Sequence, residues 1–413
     1  MSGTGHITKC QICGNKKLVP ILDLGHQPIV QNYLTEKGLH EEEVTYPLQL
    51  VRCEKCELLQ INYVVDPKLV FPTHYPYRTG LTNMLIRNFE ELATMMLEEG
   101  AYVKDDLVVD IGSNDGTLLS SFKKRGARVV GIEPTGAARV ANKNRIKTYE
   151  EFFSIASAKN VVAKHGKARI ITATNVFAHI DDTPKLIRAV KAMMDKNSVF
   201  ISESQYLADI VEKLEFDTVY HEHLRFYTLK PLMRLAKDAG MSVVDAYRIH
   251  AAGGSIRVFM KLGTHKPSER VREIIREEER LGLYDTAALR AFAARVVSAK
   301  NDLLALLLKV KKTGATIVGV SSAARSNTLL GFSKINTDIL SYAGEKKGSP
   351  KIGLYTPGTH IPVVDEAQIF AEQPEYALIL SWHIGEELMR IYRKLGYKGK
   401  FIMPLPVPKI ISK

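Results

Sequence analysis

Four cysteines occur in this chain, in two Cys-x-x-Cys pairs, Cys10/Cys13 and Cys53/Cys56. A two-residue spacer lets both thiolates of a pair reach one ion, so the set predicts a tetrahedral tetrathiolate zinc site, the alternative being four reduced structural thiols. No cysteine is left over, which excludes a thiol nucleophile or a disulfide elsewhere. A second cluster, Tyr220, His221, Glu222 and His223, stands in FDTVYHEHLRFYT. A histidine titrates near neutrality and can take a proton from a carbon beside a carbonyl, while a tyrosine can donate to the developing enolate oxygen. On an extended segment His221 and His223 would share a face, but no third ligand follows at a metal-site spacing, so acid/base chemistry is the main reading beside a merely structural cluster. Upstream, Tyr75 and Tyr77 in HYPYRTG either fold over the same pocket or belong to an ordinary Pro-aromatic linker.

Further chemistry-bearing residues lie at the ends of predicted strands. DDLVVDIGSNDG reads as a buried strand, a Gly-containing turn and the start of a helix, with Asp110, Gly112, Asn114, Asp115 and Gly116 in the turn. Glu133, followed by Pro134, ends the next strand; an acidic side chain about 20 residues after the turn can accept both ribose hydroxyls of an adenosine cofactor. The turn is not GxGxxG, which weakens a dinucleotide and suits S-adenosylmethionine, whose sulfonium brings no pyrophosphate to cradle. After the fourth strand, Asn175 and Phe177 are placed along the cofactor with His179 close by, and Asp181 or Asp182 as a helix N-cap.

The elements that must position these residues give an α/β chain in three parts. An N-terminal zinc-binding module (1–78) contains strands in LDLGHQPIVQNY and YPLQLVRC. A Rossmann-like domain (79–262) alternates strand and helix and ends in an antiparallel pair, MSVVDAYRI and GGSIRVFMKL. A charged helical stretch then opens a smaller Rossmann-like domain (263–413) with TIVGV, a Ser-rich turn SSAARSNT, KIGLYT, YALILSW, a helix EELMRIYRKLG and FIMPLP. At 413 residues and 45% hydrophobic the chain can bury more than one core. No apolar run reaches the roughly 18 residues of a membrane span, and no signal pattern opens the chain, so with reduced cysteines a cytoplasmic protein is expected. The formal charge of +12 favours anionic partners, but it is spread out, and runs such as SERVREIIREEER read as solvated helix faces.

In order, the two CxxC pairs, IGSNDG, GIEP, NVFAHIDD, YHEHL, GGSIRV, SNTLLG and PGTHIP resemble the deoxysugar C-methyltransferases that act on nucleotide-linked keto-sugars, the kijanose-pathway type, over nearly the whole chain. The resemblance implies that the central Rossmann-like domain is a class I methyltransferase domain that binds S-adenosylmethionine, that the zinc is structural, and that the methyl goes to a carbon beside a 4-keto group. It assigns the general base to His223, assistance to Tyr220 and Glu222, and closure over cofactor and sugar to Tyr75 and Tyr77. It also implies a nucleotide-sugar, thymidine-diphospho-linked, held by His221, Ser322, Arg325, Asn327 and His360, with Arg325 against the diphosphate where many relatives have a lysine. Two other classes compete. A nucleic-acid methyltransferase lacks here both a free cysteine nucleophile and an Asn/Asp-Pro-Pro-aromatic run, since that position reads NVFA. A non-catalytic zinc-containing interaction protein would bind zinc but not S-adenosylhomocysteine.

Overall fold

A computed structural model describes residues 4–72, 79–81, 83–180 and 182–412. The N-terminal sheet is antiparallel, built from β1 (Leu18–Gln27), β2 (Tyr46–Cys53) and β3 (Leu59–Ile61), with Leu18 opposite Cys53 and Leu50 opposite Ile61. Its fourth strand arrives from far along the chain: Arg225 and Phe226 pair with Gln60 and Leu59. The zinc module therefore grips the segment that follows the Tyr220–His223 cluster.

The central sheet contains β4 (Leu107–Ile111), β5 (Arg128–Ile132), β6 (Thr148–Tyr149), β7 (Ile170–Thr174), β8 (Val199–Gln205), β9 (Met241–Ile249) and β10 (Ser255–Leu262). Its strand order is β9-β10-β8-β7-β4-β5-β6, parallel from β8 to β6, with β10 antiparallel to both β8 and β9. Every residue of β4 and β7 is buried, as parallel strands covered on both faces require. The order reverses at β4 and β7, so the carboxyl ends of those strands form the crevice where such sheets bind ligands.

The C-terminal sheet holds β11 (Ile317–Val320), β12 (Ala343–Glu345), β13 (Val363–Asp365), β14 (Tyr376–Ile379), β15 (Lys400–Met403) and β16 (Lys409–Ile411), ordered β13-β12-β11-β14-β15-β16, with only β16 reversed. Two expectations are corrected here. KIGLYT is not a sheet strand: Gly353 sits at φ +85°, and Tyr355 makes only single bridges to Leu34 and Pro362. The Ser-rich turn stops at Ala323, and a helix runs from Ala324 to Ser333 with Arg325, Ser326, Asn327 and Thr328 all buried. A helix burying polar residues shows no apolar stripe, which is why its pattern reads as a turn. Two helices, Glu269–Arg280 and Thr286–Lys311, connect the Rossmann-like sheets; the Ser268 and Asp285 side chains cap them by accepting from Val271 and Ala288 N–H.

One apolar cluster runs through all three parts, from Leu48 and Cys53 through Phe177 and Leu224 to Leu329 and Phe401. Among the described residues no helix is long and apolar enough to cross a membrane.

Candidate active site and zinc centre

The four cysteine sulfurs lie within 4.8 Å of one another, with Cys10–Cys56 at 3.4 Å and Cys13–Cys53 at 3.6 Å. Four thiolates about 2.3 Å from a central ion would stand roughly 3.8 Å apart, so the set fits tetrahedral zinc. Each knuckle is closed by backbone bonds, Gly14 N–H to the Cys10 carbonyl and Glu57 N–H to that of Cys53, with Gly14 and Glu57 both at positive φ. Crowding makes the thiols share protons: Cys10 is pushed up to about 12, first by its contact with Cys53, while Cys10 and Cys56 hold the Cys53 thiol low. A divalent cation relieves that conflict by deprotonating its ligands.

In the cofactor turn, Gly112 (φ +67°) follows β4, and a Cβ there would meet Val176 Cγ2 at 2.3 Å. Glu133, buried at the end of β5, accepts from Asn114 N–H (3.0 Å), Thr135 N–H (2.9 Å) and the Thr135 hydroxyl (2.6 Å). A carboxylate has about four acceptor positions, so this one is oriented by the loop and retains capacity for a ribose hydroxyl. Pro134 stands half-buried between these anchors. Asp110 is buried beneath the turn, its Oδ1 accepting from the Thr172 hydroxyl at 2.6 Å; burial pushes its carboxyl up to about 7. The Asn114 and Asp115 side chains accept from the backbone N–H groups of Thr79 (3.0 Å) and Gly80 (2.8 Å), which staples the chain entering helix Asn83–Glu98 onto the turn. Gly116 (φ +80°) opens helix Thr117–Lys124. This donor set of a glycine turn, a strand-end glutamate and a buried aspartate suits the adenosine and the cationic end of S-adenosylmethionine.

Across the crevice, Asn175 (φ +54°) donates its N–H to the Glu203 carbonyl at 2.8 Å. Glu203 is itself paired with Arg257 at 2.8 Å and accepts from Asn88 Nδ2 at 3.0 Å, a buried network the sequence pattern did not reveal. The expectation for Phe177 is corrected: its ring is fully buried, stacked on Tyr227 with centroids 5.4 Å apart, and so is core rather than cofactor wall.

The Tyr220–His223 segment forms a turn after a 3-10 helix, Phe216–Thr218. His223 Nδ1 lies 2.6 Å from the Thr218 carbonyl, which can only accept. The proton of the neutral ring is thereby placed on Nδ1, and Nε2 keeps its lone pair. Burial, followed by the neighbouring His179, pushes His223 down to about 3, so the ring is neutral at physiological pH. The Tyr220 ring is 4.1 Å and the His179 ring 5.0 Å from that of His223, centroid to centroid. Glu222 is buried in the same turn. His179, also pushed down by burial, to about 4, therefore joins the histidine cluster. Tyr75 and Tyr77 lie outside the described residues.

The residues expected to hold a nucleotide-sugar disperse. His221 turns the other way, its Nε2 3.2 Å from the Pro47 carbonyl and its ring edge-on to Tyr46, so it packs against the zinc module. Arg325 is corrected from a diphosphate ligand: its buried guanidinium donates to Asp217 at 2.7 and 2.8 Å and to Glu215 at 3.2 Å, which neutralises its charge. Asn327 Nδ2 donates to the Val30 carbonyl at 2.7 Å, and His360 pairs with Glu43 at 3.0 Å, both tying the C-terminal part to the N-terminal module. Ser322 stays at the carboxyl end of β11, donating its N–H to Glu345 at 2.6 Å and meeting the Tyr33 hydroxyl at 2.9 Å.

The strand order with its one reversed strand, together with the glycine turn after β4 and the buried glutamate at the end of β5, is that of a Rossmann-like methyltransferase sheet. The family models that match this chain agree. Residues 10–71 match a family model described as zinc binding, 84–246 a methyltransferase domain and 250–406 a C-methyltransferase C-terminal domain. The chain is 29% identical over 410 residues to the C-methyltransferase NovU of Streptomyces niveus, covering 98% of this chain and 97% of that protein. It is 27% identical over 195 residues to a ubiquinone biosynthesis O-methyltransferase of Aeromonas salmonicida, covering 41% of this chain and 76% of that protein. A solved magnesium protoporphyrin IX methyltransferase of Synechocystis superposes with a TM-score of 0.37 at 13% identity, covering 48% of this chain and 99% of that one. In chain order it carries a segment matching a zinc-binding model, one matching a methyltransferase model and one matching a C-methyltransferase C-terminal model, and it is an S-adenosylmethionine-dependent methyltransferase with a zinc-binding N-terminal module.

Proposed function

We propose that this enzyme methylates the carbon beside the ketone of a nucleotide-linked 4-keto-deoxysugar, thymidine-diphospho-linked, with residues 1–78 as zinc module, 79–262 as methyltransferase domain and 263–413 as nucleotide-sugar domain. The observation that carries the reading is the His223 imidazole, locked by the Thr218 carbonyl with Nε2 left basic and Tyr220 beside it. A carbon beside a ketone becomes a nucleophile only on losing its proton. His223 Nε2 takes that proton, the Tyr220 hydroxyl donates to the oxygen that gains charge, and Glu222 orients the pair. Bound S-adenosylmethionine supplies the electrophilic methyl, and Asp110, the Gly112–Gly116 turn, Glu133 and Asn175 are the residues that hold it. Burial that lowers His223 so far also weakens it as a base, so stabilisation of the enolate oxygen must carry part of the barrier.

The test is mass spectrometry of the purified protein incubated with S-adenosylmethionine and thymidine-diphospho-4-keto-6-deoxyglucose. One methylene mass gained by the sugar, in step with S-adenosylhomocysteine release, is the expected result. An unchanged sugar with S-adenosylhomocysteine still bound would assign the acceptor elsewhere.

A further inference from the structure

We propose that Arg325, in the C-terminal part, is a positioning residue for the His223 imidazole, acting across the domain boundary through Asp217. The link is short and buried throughout. Asp217 is fully buried, and each of its oxygens is committed: Oδ1 accepts from Arg325 at 2.7 Å, and Oδ2 from Arg325 Nε at 2.8 Å and from the indole N–H of Trp382 at 2.8 Å. The next residue, Thr218, presents the carbonyl that accepts the hydrogen bond from His223 Nδ1–H, and its hydroxyl donates to the Glu215 carbonyl at 2.7 Å. Phe216, in the same 3-10 turn, packs edge-on against Phe332 of helix Ala324–Ser333 with centroids 5.6 Å apart. Every anchor of the turn Phe216–Thr218 named here, beyond its own backbone, thus comes from the C-terminal part of the chain.

A guanidinium fork fixes a carboxylate in both position and rotation, whereas a lysine ammonium offers one point of charge. Asp217 held by the fork sets where the Thr218 carbonyl points, and that carbonyl decides which imidazole nitrogen bears the proton. The helix that carries Arg325 begins at Ala324, shortly after β11 ends at Val320, so the C-terminal sheet and the Phe216–Thr218 turn are joined by one rigid element. The catalytic consequence rests on His223 being the base; the positioning itself does not.

Arg325→Lys keeps the charge and removes the fork. The expected result is a fall in kcat of about 10²-fold, the scale of a 1 Å misplacement, with KM for the nucleotide-sugar and S-adenosylhomocysteine affinity changed by less than about twofold. Imidazole nitrogen NMR of the full-length protein reads the cause without substrate: the wild type shows His223 only as the Nδ1–H tautomer, and Arg325→Lys shows both tautomers. A single Nδ1–H tautomer in the variant overturns the proposal, as does a loss confined to KM, which would return Arg325 to direct substrate contact. Trp382→Phe removes one of the three donors and serves as the milder variant, with the same direction and a smaller fall. His223→Asn assigns the resonance; if it turns over like the wild type, the base reading fails while the tautomer in Arg325→Lys still decides positioning.

Discussion

At the scale of single residues, three side chains carry sharp expectations. His223→Asn preserves shape and the Nδ1-side donor but has no basic nitrogen, so turnover should fall by ~10²–10⁴ while calorimetric affinity for S-adenosylhomocysteine holds. Glu133→Ala removes the acceptor that orders Asn114 and Thr135 and that is proposed to hold the ribose; cofactor binding should weaken by ~1.5–3 kcal/mol, and an unchanged isotherm would remove Glu133 from the site. Asp110 gives a pH dependence. Its folded-state value, about 7, lies above the ordinary 3.8, so the folded protein holds this proton more tightly than the unfolded chain. The stabilisation is present at low pH and is lost as pH rises from the ordinary value through about 7. Asp110→Asn should therefore gain on the wild type in melting temperature between about pH 4 and pH 7 and hold that difference above it, and parallel curves across the window would count against the shift. The types of these residues were legible in the sequence because each chemistry admits few side chains. What Arg325 or Phe177 touches was not, because contact is set by chain segments far away: Arg325 and Asp217 are 108 positions apart.

Elements determine how those residues are held. The turn after β4 works only with glycine at 112, where both the positive φ and the 2.3 Å approach of Val176 exclude a side chain. Gly112→Ala should cost about 1–3 kcal/mol in denaturant unfolding, and adding Val176→Ala should recover the steric part but not the backbone part. If the double variant gained nothing, the contact with Val176 would not be the cause. Long, buried strands such as β4, β7 and β8 were legible as apolar runs, and β9 with β10 as an antiparallel pair. The three-residue strands β12 and β13 were not, since an alternation of period two needs more residues to show. The same reason hid Arg225–Phe226, whose pairing with β3 gives the N-terminal sheet its last strand.

On the scale of the whole molecule, the zinc module and the segment that follows the Tyr220–His223 turn are tied together. Arg225 donates to Gln11 Oε1 at 2.7 Å, inside the first cysteine knuckle, and to the Tyr227 hydroxyl at 3.0 Å. A tetrathiolate metal supplies folding energy to a small module outright, so stripping the metal should melt the N-terminal sheet and release Arg225. One zinc per chain by elemental analysis is expected, and its removal by a chelator should abolish turnover, with readdition restoring it. Demetallated protein that keeps full activity would disconnect the two regions. His360 with Glu43 and Asn327 with Val30 close the other side, so the N-terminal module bridges both Rossmann-like parts.

The sequence by itself determined the chemistry available to this protein: four thiols in two pairs with none to spare, a glycine turn with a glutamate one strand away, and a histidine-rich turn after the fifth strand of an alternating α/β pattern. Those are properties of residue type and short-range spacing, and local sterics and valence limit them to few meanings. Tertiary structure alone decided that His221 packs against the zinc module while His223 bonds to the Thr218 carbonyl, and that an arginine expected against a diphosphate instead clasps Asp217. Both outcomes depend on burial of charge and on backbone carbonyls brought together over more than one domain, and no window along the chain contains that information.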